Sequence, residues 1–210
     1  MSSNFEQSSR RFSWEAPFVF RDLFRHVARS MALMADQPYI DAMGRAVEVL
    51  GGALGSGHQV LVFGNGGSSA DAQHIAAELV GRFTLDRDPL RVIALGTNSA
   101  LFTAWSNDRD HRDVFAREVK ALGRPGDVAW GISTSGTSPN VLGAFREARA
   151  AGLKTIGLTG QGGEEGEMAR LCDVLMAVPL LETPRIQEVH LVTYHAICAE
   201  LERRMFNPGE

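Results

Sequence analysis

The chain predicts an α/β fold built on one parallel sheet of five strands. Three observations carry that expectation. Strand-like runs at about 59–64, 91–95, 127–132, 154–159 and 173–178 alternate with stretches of helical periodicity. Two of those runs break directly into glycine, asparagine and serine before the next helical pattern begins. The 210 residues, 44% of them hydrophobic, suffice for one well-buried core. Strands that alternate with helices read as a parallel sheet covered on both faces, because each crossover lays its helix across the sheet.

Taken in order, residues 1–17 are largely polar and read as an arm. Helical patterns follow at about 18–35 and 38–54, the second closed by Gly55-Ser56-Gly57. Between the strand-like runs, helical patterns fall at about 68–82, 98–106, 111–122, 138–151 and 163–171. A closing helix runs from about Pro184 to Met205, with Thr183 as its cap and Pro184 in its first turn. Repeats, linkers and low-complexity stretches are absent, so residues 18–206 read as a single domain and 207–210 as a tail.

Composition excludes several function classes. A formal net charge of -4 supplies no basic footprint for nucleic acid. No apolar run reaches membrane-spanning length, and Glu6, Arg10, Arg11 and Glu15 interrupt the segment where a secretory signal would need its apolar stretch. Cys172 and Cys198 lack the spacing of a thiolate zinc site or a disulfide framework and read as free thiols in a reducing cytoplasm. The expectation is a cytoplasmic protein with no nucleic acid and no membrane as partner.

Two strand-to-helix turns carry anion chemistry. The stretch Gly131-Ile132-Ser133-Thr134-Ser135-Gly136-Thr137-Ser138-Pro139-Asn140 crowds hydroxyl side chains between a strand and a helix. A phosphate there would receive hydroxyl and backbone N–H hydrogen bonds and the positive end of the helix dipole. The loop lacks the lysine of the G-x-x-x-x-G-K-[ST] pattern, which points to a phosphate monoester rather than ATP. Its ordinary alternative is a turn with a serine cap. The second turn, Gly64-Asn65-Gly66-Gly67-Ser68-Ser69, weighs against that alternative, because ligands of open parallel sheets bind outside the carboxyl ends of the strands and two such loops would face one crevice. Neither turn is a G-x-G-x-x-G fingerprint, so no nucleotide cofactor is expected.

Two helices carry candidate acid–base chemistry. His74 and Glu78, four residues apart, share one helix face and form half of an acid–base or metal site, or a surface ion pair. The closing helix carries Gln187, Glu188, His190 and His195, and separations of seven and eight residues are about two turns, which sets His195 near the line of Gln187 and Glu188. A histidine among Val192, Tyr194, Ala196 and Ile197 is more often a satisfied core residue than a catalyst. Spacing alone leaves both readings open.

In order, Gly64-Asn65-Gly66-Gly67-Ser68, Asp71-Ala72-Gln73-His74 with Glu78, Ser106-Asn107-Asp108, Gly131-Ile132-Ser133-Thr134-Ser135-Gly136 and Arg185-Ile186-Gln187-Glu188 with His195 resemble the sedoheptulose 7-phosphate isomerases of the sugar isomerase (SIS) domain superfamily. The resemblance covers about residues 20–206. It implies a flavodoxin-like three-layer sandwich, a five-stranded parallel sheet flanked by helices, and a homotetramer with active sites at subunit interfaces. It also implies conversion of sedoheptulose 7-phosphate to glycero-manno-heptose 7-phosphate through an enediol, supplying heptose for lipopolysaccharide or other glycans.

Residue by residue, the resemblance assigns Ser68, Ser133, Thr134, Ser135 and Ser138 to the phosphate, with Asn65, Gly66, Gly67, Asp108 and Gln187 completing the substrate site. Glu78 matches the general base and His195 the general acid, the pair an enediol route needs. His74, Glu78, Gln187 and His195 match positions that hold zinc in some members, a set acceptable to that metal. Pro184 departs from the pattern, standing where some members carry an aspartate that contacts the sugar. The alternative is a non-catalytic SIS-domain regulator that binds the replication initiator protein. Such relatives replace the acid–base pair, so retention of Glu78 and His195 favours the enzyme. A sugar-phosphate-sensing transcription regulator is a third reading, and the N-terminal segment has neither the length nor the basic charge for its DNA-binding region.

Overall fold

In a computed structural model of the chain, which describes residues 17–207, five strands form one sheet in the order β2-β1-β3-β4-β5. These are β1 Val60–Gly64, β2 Val92–Ala94, β3 Val128–Ser133, β4 Lys154–Thr159 and β5 Val174–Ala177. Every neighbouring pair is parallel. The order is that of a flavodoxin-like sheet, in which the chain steps outward from β1 to β2 and then reverses past β1 to β3. The expected fold class is the one observed.

Eight helices of the described residues flank the sheet: α1 Pro17–Ala32, α2 Gln37–Gly55, α3 Gly67–Val80, α4 Ser99–Asp108, α5 Val114–Leu122, α6 Pro139–Ala150, α7 Glu167–Leu171 and α8 Thr183–Phe206. Strand side chains alternate between two apolar layers. Val60, Val62, Val128, Trp130 and Ile132 pack under α2, α3 and α8. Leu61, Phe63 and Ala129 pack under α5, α6 and α7, with Phe102 and Trp105 of α4 against that layer. The central strands β1 and β3 are therefore buried on both faces, which is why they read as largely apolar runs.

Several helix ends differ from the sequence expectation. The pattern at 18–35 ends as α helix at Ala32, and Leu33–Ala35 tightens into a 3₁₀ turn before extended Asp36. The pattern at 111–122 opens with a 3₁₀ turn, His111–Asp113, held by the Arg112 N–H donating to Asp110 Oδ1 at 2.8 Å. The one at 163–171 shrinks to α7, because Gly160, Gly162, Gly163 and Gly166 crowd the preceding segment and glycine disfavours helix. Thr183 is the first residue of α8 rather than its cap; Glu182 takes the cap position and turns its carboxylate to His26, 3.3 Å away.

Apart from Pro17 and Asn207, the expected arm and tail lie outside the described residues. Among the described residues no helix is long and apolar enough to cross a membrane. Cys172 and Cys198 are both free, and burial pushes each thiol up to about 12.

Candidate active site

The strand order reverses between β1 and β3, so a crevice opens beyond their carboxyl ends. Gly64 pairs with Ile132, which starts the two glycine- and serine-rich loops side by side. Gly66 and Gly136 have φ of 54° and 67°, backbone that a side chain disfavours. The Ser133 hydroxyl lies 2.9 Å from that of Ser138 and 3.4 Å from that of Ser135. Ser135 Oγ in turn accepts from the Thr137 N–H at 3.3 Å and from its hydroxyl at 3.0 Å. Ser138 makes no side-chain cap on α6. Its hydroxyl has turned inward to Ser133, so the serine-capped turn is not what the chain builds. Thr134 fixes the loop to the end of β4 by accepting the Gly160 N–H at 3.0 Å.

Two helices bring the candidate acid–base residues together. Gln187 lies against Gly67, and His195 lies against His74. Advancing seven residues along α3 and eight along α8 preserves the contact, so the helices run in the same direction, nearly in register. His74 Nε2 is 2.9 Å from Glu78 Oε1 and 3.5 Å from His195 Nε2. The three half-buried residues hold one donor atom each within 4.8 Å of one another. The other nitrogen of His74 meets the Tyr194 hydroxyl at 2.9 Å, and that hydroxyl donates to Asp71 Oδ1 at 3.4 Å. Burial, and then the Asp71 charge, push the Tyr194 hydroxyl up, so it stays a donor.

These residues fit a metal ion. His74 Nε2 faces a carboxylate and a second imidazole, and its Nδ1 faces the Tyr194 hydroxyl, which also reaches Asp71. Converging lone pairs call for a proton or a cation, and a carboxylate-anchored partner on the far ring nitrogen is the usual setting of a ligating histidine. Gln187 lies about two turns earlier on α8. Eight residues of helix separate it from His195 by roughly 12 Å of rise, and its amide sits at the start of α3 beside the glycine loop.

The remaining expected residues take various positions. Ser68 is buried, its N–H donating to the Asn65 carbonyl at 2.9 Å. Asp108 ends α4 exposed, accepting from the Asn107 amide at 3.0 Å. The core histidine of α8 is His190: it is fully buried, its Nε2 lies 3.2 Å from the Thr159 carbonyl while its Nδ1 has no partner, and burial pulls it down to about 4.

Sequence reasoning missed a clamp behind the site. Glu202 of α8 accepts N–H bonds from Phe83, Thr84 and Leu85 at 3.0, 2.8 and 3.0 Å, the Thr84 hydroxyl at 2.8 Å and Arg87 Nε at 2.9 Å. Arg87 also donates to the carbonyls of Glu78 and Leu79, each near 3 Å. The loop after α3 is thereby tied to α8, and the Phe83 ring lies 5.6 Å from the His195 ring. An arginine 115 residues from its partner leaves no local pattern to find.

Fold and site together define a class, and residues 24–160 match the SIS domain model. The phosphoheptose isomerase of Crocosphaera subtropica is 50% identical over 168 residues, covering 80% of this chain and 85% of that protein. That of Burkholderia pseudomallei is 47% identical over 175 residues, covering 83% and 88%. Among solved structures, the phosphoheptose isomerase from Neisseria gonorrhoeae superposes with a TM-score of 0.79 at 38% identity, covering 88% of this chain and 98% of that one. The Francisella tularensis protein gives 0.82 at 33% identity, covering 88% and 97%. The chain belongs to the phosphoheptose isomerase family of SIS-domain proteins, and is an isomerase.

Proposed function

We propose that the chain is an aldose–ketose isomerase converting sedoheptulose 7-phosphate to glycero-manno-heptose 7-phosphate through an enediol, supplying heptose precursors. The observation that carries this reading is the convergence of Glu78 and His195 on α3 and α8, two helices that meet at the first of two neighbouring anion-friendly loops. Ser68, Ser133, Thr134, Ser135 and Ser138 hold the phosphate and orient the seven-carbon chain from its far end. Asn65, Gly66, Gly67, Asp108 and Gln187 complete the sugar site. Glu78 takes a proton from C1 while His195 protonates the C2 carbonyl oxygen, giving the enediol. Returning a proton to C2 and withdrawing the one on O1 completes the aldose.

His74, Glu78 and His195 are the residues that would hold a zinc ion, with Gln187 the fourth ligand by family resemblance. A bound zinc supplies a Lewis acid beside the carbonyl. A cytoplasmic homotetramer is part of the same reading. It is supported by the exposed apolar residues Val19, Phe20, Leu23 and Phe24 of α1 and Leu191 and Val192 of α8. The non-catalytic regulator gains no support, because the relatives named above are isomerases. The test is to incubate the purified protein with sedoheptulose 7-phosphate and follow aldose formation, beside Glu78→Gln and His195→Ala. Absence of turnover in the parent, with and without zinc, overturns the proposal, and full activity in both variants reassigns the roles.

A further inference from the structure

We infer that Asn140 is a positioning residue: it sets which atoms of Asn65 face the crevice and locks the two loops to each other, with His111 bracing it from behind. Asn140 follows Pro139 in the first turn of α6 and is only 2% exposed. Its side chain and that of Asn65 form a reciprocal amide pair, Asn65 Nδ2 to Asn140 Oδ1 and Asn140 Nδ2 to Asn65 Oδ1, both 2.8 Å.

The orientation of that pair follows from hydrogen-bond chemistry. The Val141 N–H donates to one Asn140 side-chain atom at 3.0 Å, and a backbone N–H only donates, so that atom is the oxygen. The other atom is then the nitrogen. It lies 3.1 Å from His111 Nε2, which must accept. The proton of neutral His111 therefore sits on Nδ1, 3.4 Å from the Ser106 hydroxyl. Both N–H groups of Asn140 and both lone pairs of its oxygen are engaged within the protein. It has nothing left for a ligand.

Asn65 is in the opposite situation. It is half-buried at the exit of β1, and the pair consumes one of its two N–H groups and one of its two oxygen lone pairs. One donor and one acceptor stay free, in a plane that Asn140 dictates. A lone asparagine at a glycine-rich turn rotates freely and presents either end of its amide; this one presents a fixed edge. Because the partners are 75 residues apart, the same pair joins the loop after β1 to the first turn of α6, where the loop after β3 ends. The inference deepens the proposed function, since it takes Asn65 as a substrate contact.

Asn140→Asp keeps the shape and inverts the chemistry: one oxygen still accepts from Val141 and Asn65, and the other faces the Asn65 oxygen and an imidazole lone pair. Kinetics with sedoheptulose 7-phosphate would compare the parent, Asn65→Ala, Asn140→Asp and the double variant. Losing this buried pairing is expected to lower kcat/KM about 10- to 100-fold in each single variant. The double variant should fall little further, because the two residues act as one unit. Independent losses that multiply in the double variant, or Asn140→Asp with parental activity, overturn the inference.

A ligand-free crystal structure of Asn140→Asp reads the positioning without any substrate, so it separates this inference from failure of the isomerase reading. An Asn65 amide rotated away from residue 140 supports it, and an unmoved Asn65 overturns it. Should Asn140→Asp not fold, His111→Leu removes the brace and is read by the same two measurements with the same outcomes.

Discussion

Replacing Glu202 by glutamine should destabilise the protein by about 3 kcal/mol at neutral pH. Glu202 and Arg87 are 1% and 2% exposed and form an ion pair at 2.9 Å. Burial alone pushes the Glu202 carboxyl up, and the N–H groups of Thr84, Leu85 and Phe83 with the Thr84 hydroxyl outweigh it, holding the group at about 2 against its usual 4.5. A carboxyl held that far down corresponds to about 3 kcal/mol. Breaking a buried pair from one side independently costs about 3–5 kcal/mol, because the arginine is left desolvated and unpaired. The two routes agree.

The pH dependence follows from the same numbers. The folded group is depressed, so its stabilisation is fully present above about 4.5 and is lost as pH falls through about 2. Urea unfolding of parent and Glu202→Gln at one protein concentration, from pH 7 to pH 3, reads both effects, and at pH 7 the melting point should drop by about 6–12 °C. A difference below about 1 kcal/mol at pH 7, or one that does not narrow between pH 4.5 and pH 3, would refute the clamp.

Three further outcomes are expected. In Gly67→Ala the new methyl group meets the Gln187 amide, so that side chain must move. Turnover should fall several-fold while the melting point shifts by no more than about 2 °C, since the obstacle is the far end of a flexible side chain; unchanged kinetics would separate Gln187 from the site. In Tyr194→Phe, His74 loses the hydroxyl at its Nδ1. Zinc affinity of the metal-free protein should then weaken about 10- to 100-fold by calorimetry, and unchanged affinity would mean His74 is not a ligand. His190 is buried neutral and pulled from 6.5 down to about 4, so stability should rise with pH across that interval by up to about 3 kcal/mol. Substituting His190→Gln should flatten the rise, as urea midpoints at pH 4.5 and pH 6.5 would show.

The strands and the two loops were legible in the sequence because each is a local event. A strand buried on both faces is a continuous apolar run, and β1, Val60–Gly64, lies within the run at 59–64. Ser133 to Ser138 announced an anion site because five hydroxyl side chains within six residues, breaking a strand into a helix, have few other uses. Helix ends were less legible. Thr183 looked like a cap, and the helix began one residue earlier, with Glu182 at the cap position and its carboxylate turned to His26, 156 residues away. The position of Gln187 shows the same limit. Its spacing from His195 aligned the two on one face, and only the packing of α8 along α3 sets Gln187 against Gly67 and His195 against His74.

By itself the sequence determined the alternation of strands and helices, the hydroxyl and glycine loops, and the face on which His74 and Glu78 lie together, since each depends on residues within a few positions of one another. The tertiary structure alone decided that His195 meets His74 across 121 residues, that Asn65 pairs with Asn140, and that Glu202 holds the loop after α3. Spacing fixes the direction of a side chain about its own helix axis. Which residue waits there is set by how two helices pack on a shared sheet, and that depends on the whole core at once.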